Sequence, residues 1–238
     1  MPHQGPLRWL DGEGWLILSG GGDPAHGVTD AVDAQVLSLV NLDRPMVVLL
    51  SEGSKVDAED ILEHYVALGG PGGEAFTLRS LTRDHLGSPR LIRLLEEAGT
   101  LYLGGENAAA LVHALRGTPA LESILQGYST MQGLTIVGAS AGASALGTWM
   151  VGPPPHGVLV KGLDWVMTTL IVPHFTSTED CPALRHLPAA GQFILGLGIP
   201  DGVALALGPA GQVEMWGDGQ VTAVVKAQSD QETPDGTA

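Results

Sequence analysis

Short, almost continuously apolar runs rich in β-branched residues alternate along the chain with longer segments whose apolar positions recur at helical spacing. The first runs are residues 15–22 (WLILSGGG), 46–53 (MVVLLSEG), 74–80 (EAFTLRS) and 101–107 (LYLGGEN), and the segments between them are residues 31–42, 58–68 and 89–98. This alternation predicts βαβ units, hence an α/β fold with a mostly parallel sheet flanked by helices. Several runs end in Gly or Ser, at the strand ends where open α/β sheets bind ligands. Farther on the pattern predicts helices over 108–115 and 121–126, a strand over 134–137, and another buried strand in 166–175 (VMTTLIVPHF) ending at His174. Residues 206–225, with turns at 208–211 and 217–219, predict a closing antiparallel meander. With neither an internal repeat nor a linker, residues 1–225 read as one α/β domain and the polar residues 226–238 as a disordered tail.

Composition narrows the partners. Hydrophobic residues make up 44% of the 238 positions and charged residues 16%, enough apolar surface to offset the entropy of ordering a core. The net charge of −15, with 11 Lys and Arg, repels phosphate backbones and anionic lipid, so neither nucleic acid nor membrane is expected as a partner. Cys181 is the single cysteine, which leaves no internal disulfide, and no spacing of Cys and His suits zinc. The first residues lack a basic start followed by an apolar core, and no run approaches a bilayer's thickness. A soluble, cytoplasmic protein is expected, as a monomer or homodimer.

The chemistry concentrates at Gly138-Ala139-Ser140-Ala141-Gly142, a G-x-S-x-G pattern where a predicted strand meets a predicted helix. That context is the one in which the pattern marks a nucleophile elbow: small neighbours let the chain turn sharply, Ser140 is left exposed, and the Ala141 N–H points at a developing oxyanion. The competing reading is a Gly/Ala-rich turn packed against a neighbouring helix. A nucleophilic serine needs a base, and the base an orienting acid. His174, at the end of a buried strand, suits the first role, with His156 in the loop-like VGPPPHG as its competitor. Asp201, in GIPDGVAL, suits the second; it also reads as a turn residue, and Asp164 competes with it.

GASAGAS, YLGGEN, IVPHFTS and GIPDGVAL, in this order and spacing, resemble the serine peptidase family of aspartyl dipeptidase (peptidase E) and cyanophycinase, over roughly residues 15–225. The resemblance implies a class I glutamine-amidotransferase-like (flavodoxin-like) fold, with Ser140 as nucleophile, His174 as base and Ala141 as one backbone oxyanion donor. The second donor would come from the Gly-Gly loop, at Glu106 or at Gly105, and Asn107 and Arg185 would touch substrate.

The chain also departs from these relatives. Peptidase E proper resembles GGGN where this chain has Gly104-Gly105-Glu106-Asn107, which adds a carboxylate beside the site. It draws its acid from an Asp shortly after the nucleophile helix, where this chain offers only VGPPPHG; Asp201 matches the cyanophycinase glutamate instead. Both relatives are arginine-rich after the histidine, whereas HFTSTEDCPALRHL keeps Arg185 and adds Glu179 and Asp180. Unless Arg79, Arg83 or Arg90 reaches the cleft, strict preference for acidic residues is not expected. The activity expected is hydrolysis of small peptides through a Ser-His-Asp triad, with no cofactor or metal. An α/β-hydrolase esterase shares G-x-S-x-G but orders its triad Ser, acid, His, with the histidine near the C-terminus. An inactive binding module on the same fold is the other alternative.

Overall fold

The structure, a computed structural model, describes residues 5–51, 57–78, 84–152, 158–185 and 194–226. In chain order its strands are β1 (Arg8–Trp9), β2 (Leu16–Ser19), β3 (Met46–Leu50), β4 (Gly73–Thr77), β5 (Thr100–Gly104), β6 (Thr135–Ala139), β7 (Gly147–Val151), β8 (Leu159–Lys161), β9 (Val166–Val172), β10 (Ile194–Gly198), β11 (Ala204–Leu207), β12 (Val213–Trp216) and β13 (Thr222–Lys226). The helices are α1 (Asp30–Leu39), α2 (Ala58–Ala67), α3 (Pro89–Glu97), α4 (Ala108–Leu115), α5 (Pro119–Ser129), α6 (Ala141–Leu146) and α7 (Pro182–Arg185). Among the described residues no helix is long and apolar enough to cross a membrane.

One sheet runs β12-β11-β2-β6-β5-β3-β4, parallel from β2 to β4, with β11 and β12 added antiparallel at the β2 edge. Its inner strands are covered on both faces, which is why they read as unbroken apolar runs: all five residues of β3 are buried. Side chains alternate between the two layers. Leu16, Val47, Leu49, Leu101 and Ile136 pack with Leu91, Leu111 and Ile124 of α3, α4 and α5. Ile17, Met46, Val48 and Val137 pack on the opposite face with Val32, Val36 and Ile61 of α1 and α2. Helix starts follow local chemistry. Ser88 and Thr118 each accept a hydrogen bond from an N–H of the first turn, at Leu91 and Leu121, and each precedes a proline at the first helical position.

A second sheet, β13-β10-β9-β7-β8 with β1 paired to β9, stands apart from the first. The predicted strand over 166–175 is present as β9, but it belongs here rather than to the central sheet, parallel to β7 on one side and β10 on the other. The C-terminal antiparallel strands are also present and are divided between the sheets. β12 pairs with β11, whereas β13 pairs with β10, so residues 217–221 carry the chain from one sheet to the other. The crossing is tight: Gly217 has φ 90°, and a Cβ there would lie 2.0 Å from the Gly202 carbonyl oxygen. The tail from residue 227 lies outside the described residues.

Candidate active site

Ser140 occupies the junction of β6 and α6 with φ 52° and ψ −117°, a backbone conformation strained for a residue with a side chain. Its N–H continues the sheet by donating to Ser19 O at 3.2 Å, and its carbonyl accepts from Ser144 N to begin α6. The flanking glycines are sterically required. A Cβ on Gly142 would lie 1.9 Å from the Leu103 carbonyl oxygen, and one on Gly138 would lie 2.5 Å from Leu146 Cδ1 and 3.1 Å from Ala143 N. Close packing of α6 on the end of β5 turns the chain sharply, and the turn leaves Ser140 lining a cleft.

His174, just beyond β9, also has positive φ, 52°. Its N–H donates to Gly20 O at 3.1 Å and the Phe175 N–H to Ile199 O at 3.1 Å, which ties the loop after β9 to the ends of β2 and β10. The imidazole Nε2 is 2.7 Å from Ser140 Oγ, and Nδ1 is 2.6 Å from Asp201 Oδ1. A carboxylate only accepts, so Nδ1 carries the proton and Nε2 receives the serine hydroxyl. Asp201 lies in the turn between β10 and β11, whose Gly202 N–H donates to Gly21 O at 2.9 Å. The competitors lie elsewhere. Asp164 accepts a hydrogen bond from Thr148 Oγ1, and His156 is outside the described residues.

The loop after β5 takes its shape from Ser51, which the sequence reading did not single out. Buried Ser51 donates its N–H to Gly104 O at 2.9 Å, and its Oγ accepts the Asn107 N–H at 2.9 Å. Gly105, at φ 103°, passes over this serine so closely that a Cβ would stand 2.3 Å from Ser51 Oγ. The Asn107 N–H is committed to Ser51 and its Oδ1 caps α4 at Ala110 N, while Gly105 and Glu106 line the cavities beside Ser140.

Ser140, His174 and Glu106 line two cavities. The larger, about 780 Å³, is bounded by the start of α4, α6 and Ile171-Val172-Pro173, and includes Asn107, Ala141 and Ser144. The smaller, about 160 Å³, is bounded by Gly21, Leu50, Ile61, Tyr102 and Gly105. Burial, then the nearby charge of Asp33, pushes the Tyr102 phenol up, so it stays neutral. Asp33 itself accepts from Tyr65 Oη at 2.5 Å and lies 2.9 Å from His64 Nε2. Arg185 is not in either lining; its guanidinium donates to the Glu179 carbonyl. Arg90 pairs with Glu74 at 2.5 Å, and Arg79 and Arg83 lie outside the described residues.

A family model described as peptidase family S51 matches residues 15–210. Among curated proteins none matches the chain. Among solved structures, the chain is similar to a peptidase from an acI-B1 Actinobacterium, with 21% identity and a TM-score of 0.63, over 90% of this chain and 92% of that one. It is also similar to a putative peptidase E protein from Listeria monocytogenes EGD-e, with 17% identity and a TM-score of 0.55, over 88% of this chain and 97% of that one. At these identities the likeness to the two structures is one of fold.

Proposed function

The chain belongs to peptidase family S51 and is a serine-type peptidase, and from that premise we propose that it cleaves small peptides through Ser140, His174 and Asp201. Ser140 Oγ attacks the scissile carbonyl while His174 Nε2 takes its proton and then gives it to the leaving amine. A water molecule, deprotonated by the same nitrogen, releases the acyl group and regenerates the serine. Asp201 holds the Nδ1 proton and stabilises the imidazolium in between. The Ala141 N–H and an N–H of Gly105 or Glu106 stabilise the oxyanion, and residues 1–225 form the unit that carries the activity. The observation that carries this reading is the unbroken run of contacts, 2.7 Å and 2.6 Å, from a serine on a strained turn through His174 to a carboxylate. Its order along the chain, Ser then His then Asp, is not that of the α/β-hydrolases.

The residue beside the scissile bond is neutral or basic. Recognition of a buried carboxylate normally uses a bidentate arginine; Arg185 and Arg90 are engaged elsewhere, and Glu106 borders both cavities. A fluorophosphonate probe should label the protein at Ser140 and fail to label Ser140→Ala. In a dipeptide and tripeptide panel, matched Asp-X, Ala-X and Lys-X substrates should show no Asp-X advantage in kcat/KM. Labelling that persists at another serine with full turnover overturns the nucleophile, and an advantage of about tenfold for Asp-X, roughly 1.4 kcal/mol of transition-state binding, overturns the preference.

A further inference from the structure

Beyond the larger cavity at Ser140 lies another, about 520 Å³, lined by Ala109, His113, Arg116 and Lys161 together with apolar Met150 and Val160. Ala109 and His113 border the larger cavity as well, so the two are adjacent. Ala109, His113 and Arg116 follow the i, i+4, i+7 spacing of one helical stripe along α4 and its C-terminal cap. At 1.5 Å rise per residue, Arg116 stands about 10 Å farther along α4 than Ala109.

The charge of this groove opposes that of the chain. Acidic residues outnumber Lys and Arg by 26 to 11, yet the described lining residues bring together an arginine, a lysine and a histidine with no carboxylate among them. Both cations are held in place. Arg116 Nη2 donates to the carbonyl oxygens of Gly162 at 2.6 Å and Lys161 at 3.3 Å, and Lys161 Nζ lies 3.7 Å from the centre of the Trp149 ring. Cations already ordered lose less entropy when they meet a ligand.

We propose that this groove is a distal subsite in which Arg116 and Lys161 bind a carboxylate of the peptide substrate about three residues from the scissile bond. The proposal rests on the assignment of Ser140 as nucleophile. Ala109 borders the cavity that Ser140 lines, and an extended peptide rises about 3.3 Å per residue, so crossing the further distance of about 10 Å from Ala109 to Arg116 takes about three residues, more than a dipeptide supplies. The carboxylate has two sources: the substrate's own C-terminus on the leaving-amine side, or an Asp or Glu side chain on the acyl side. In either case the groove selects peptides by length and by a distal negative charge, while the residue at the scissile bond is neutral or basic.

The test uses tetrapeptides binding to full-length Ser140→Ala protein, measured by calorimetry. One pair compares a free C-terminal acid with its amide; the other compares Asp with Asn as the first of four residues. A carboxylate should bind about tenfold tighter than its neutral counterpart in one pair, which identifies the source, and dipeptide acids and amides should bind alike. Adding Arg116→Gln or Lys161→Gln should remove the difference; exposed Lys161 keeps the test decisive if the Arg116 variant does not fold. In the enzyme with Ser140 intact, the same substitutions should lower kcat/KM for that tetrapeptide about tenfold and leave dipeptide turnover unchanged. No difference in either pair, or one that survives both substitutions, overturns the subsite. Failure of the Ser140 assignment reads differently, as probe labelling and turnover that persist in Ser140→Ala with the binding differences intact.

Discussion

Gly21 and His174 stand so close that a β-carbon on the glycine would lie 2.8 Å from Cε1 of the imidazole and 3.3 Å from Cβ of Ser140. The histidine ring is thus backed by bare main chain, and the glycine has φ 94°, where a side chain is strained. Its neighbour Gly20 is equally constrained, since a Cβ there would lie 1.9 Å from the Pro200 carbonyl oxygen. The glycines after β2 are the seat on which the imidazole rests.

Gly21→Ala should therefore push the ring away from Ser140 Oγ. Misplacement of a reacting group by about 1 Å lowers rate on the order of 100-fold, so kcat should fall by about that factor while circular dichroism shows the fold retained. Unchanged kcat would mean that the ring does not depend on this seat.

Removing the Ser140 hydroxyl should lower kcat by on the order of 10⁶, as in other serine peptidases, whether the replacement is Ala or Gly. The two variants should part in stability. Gly relieves a positive φ that costs roughly 1–3 kcal/mol in a residue with a side chain, so Ser140→Gly should unfold at higher urea than Ser140→Ala, by on the order of 1 kcal/mol. The opposite order would mean that the elbow is not strained.

Asp201→Asn should lower turnover by on the order of 10⁴, because the imidazole loses the acceptor that sets its tautomer. Asp164→Asn should leave kcat unchanged and lower stability by about 1 kcal/mol through its weakened bond with Thr148. Parallel kinetics and urea unfolding of the two variants decide the matter; the reverse ranking in kcat refutes the assignment.

His64 links stability to pH. Its hydrogen bond to Asp33 raises the imidazole above its ordinary value of 6.5, aided by the charges of Asp33 and Asp30 and opposed by burial. A group whose pKa is higher folded than unfolded stabilises the fold fully below the unfolded value and loses that contribution as pH rises through the folded one. His64→Gln should consequently lower the urea midpoint more at pH 5.5 than at pH 9. An equal loss at both would show that the pair acts without charge.

The sequence by itself determined the parallel sheet and the elbow. Strands buried on both faces must be unbroken apolar runs, helices must begin at caps such as Ser88-Pro89 and Thr118-Pro119, and a sharp strand-to-helix turn tolerates only small residues around its serine. These are short-range demands, so β2, β3, β5 and β6 and the Gly138–Gly142 stretch were legible one segment at a time; the family resemblance drew on the same local motifs. Tertiary structure decided which segments meet. β9 reads as an apolar run whichever sheet it joins, and the turns at 208–211 and 217–219 look alike although one closes a hairpin and the other changes sheets. The sequence favours Asp201 over Asp164 through its match to the cyanophycinase glutamate; what brings Asp201 to 2.6 Å from His174 is the packing of the loops after β2, β9 and β10, stitched together by His174 N–H to Gly20 O and Gly202 N–H to Gly21 O. Gly21 and Ser51 stayed hidden for the same reason. A glycine or serine at the end of a strand carries no local sign that it supports a histidine or the loop after β5, because what it touches lies far away in sequence and close only once the sheets are packed.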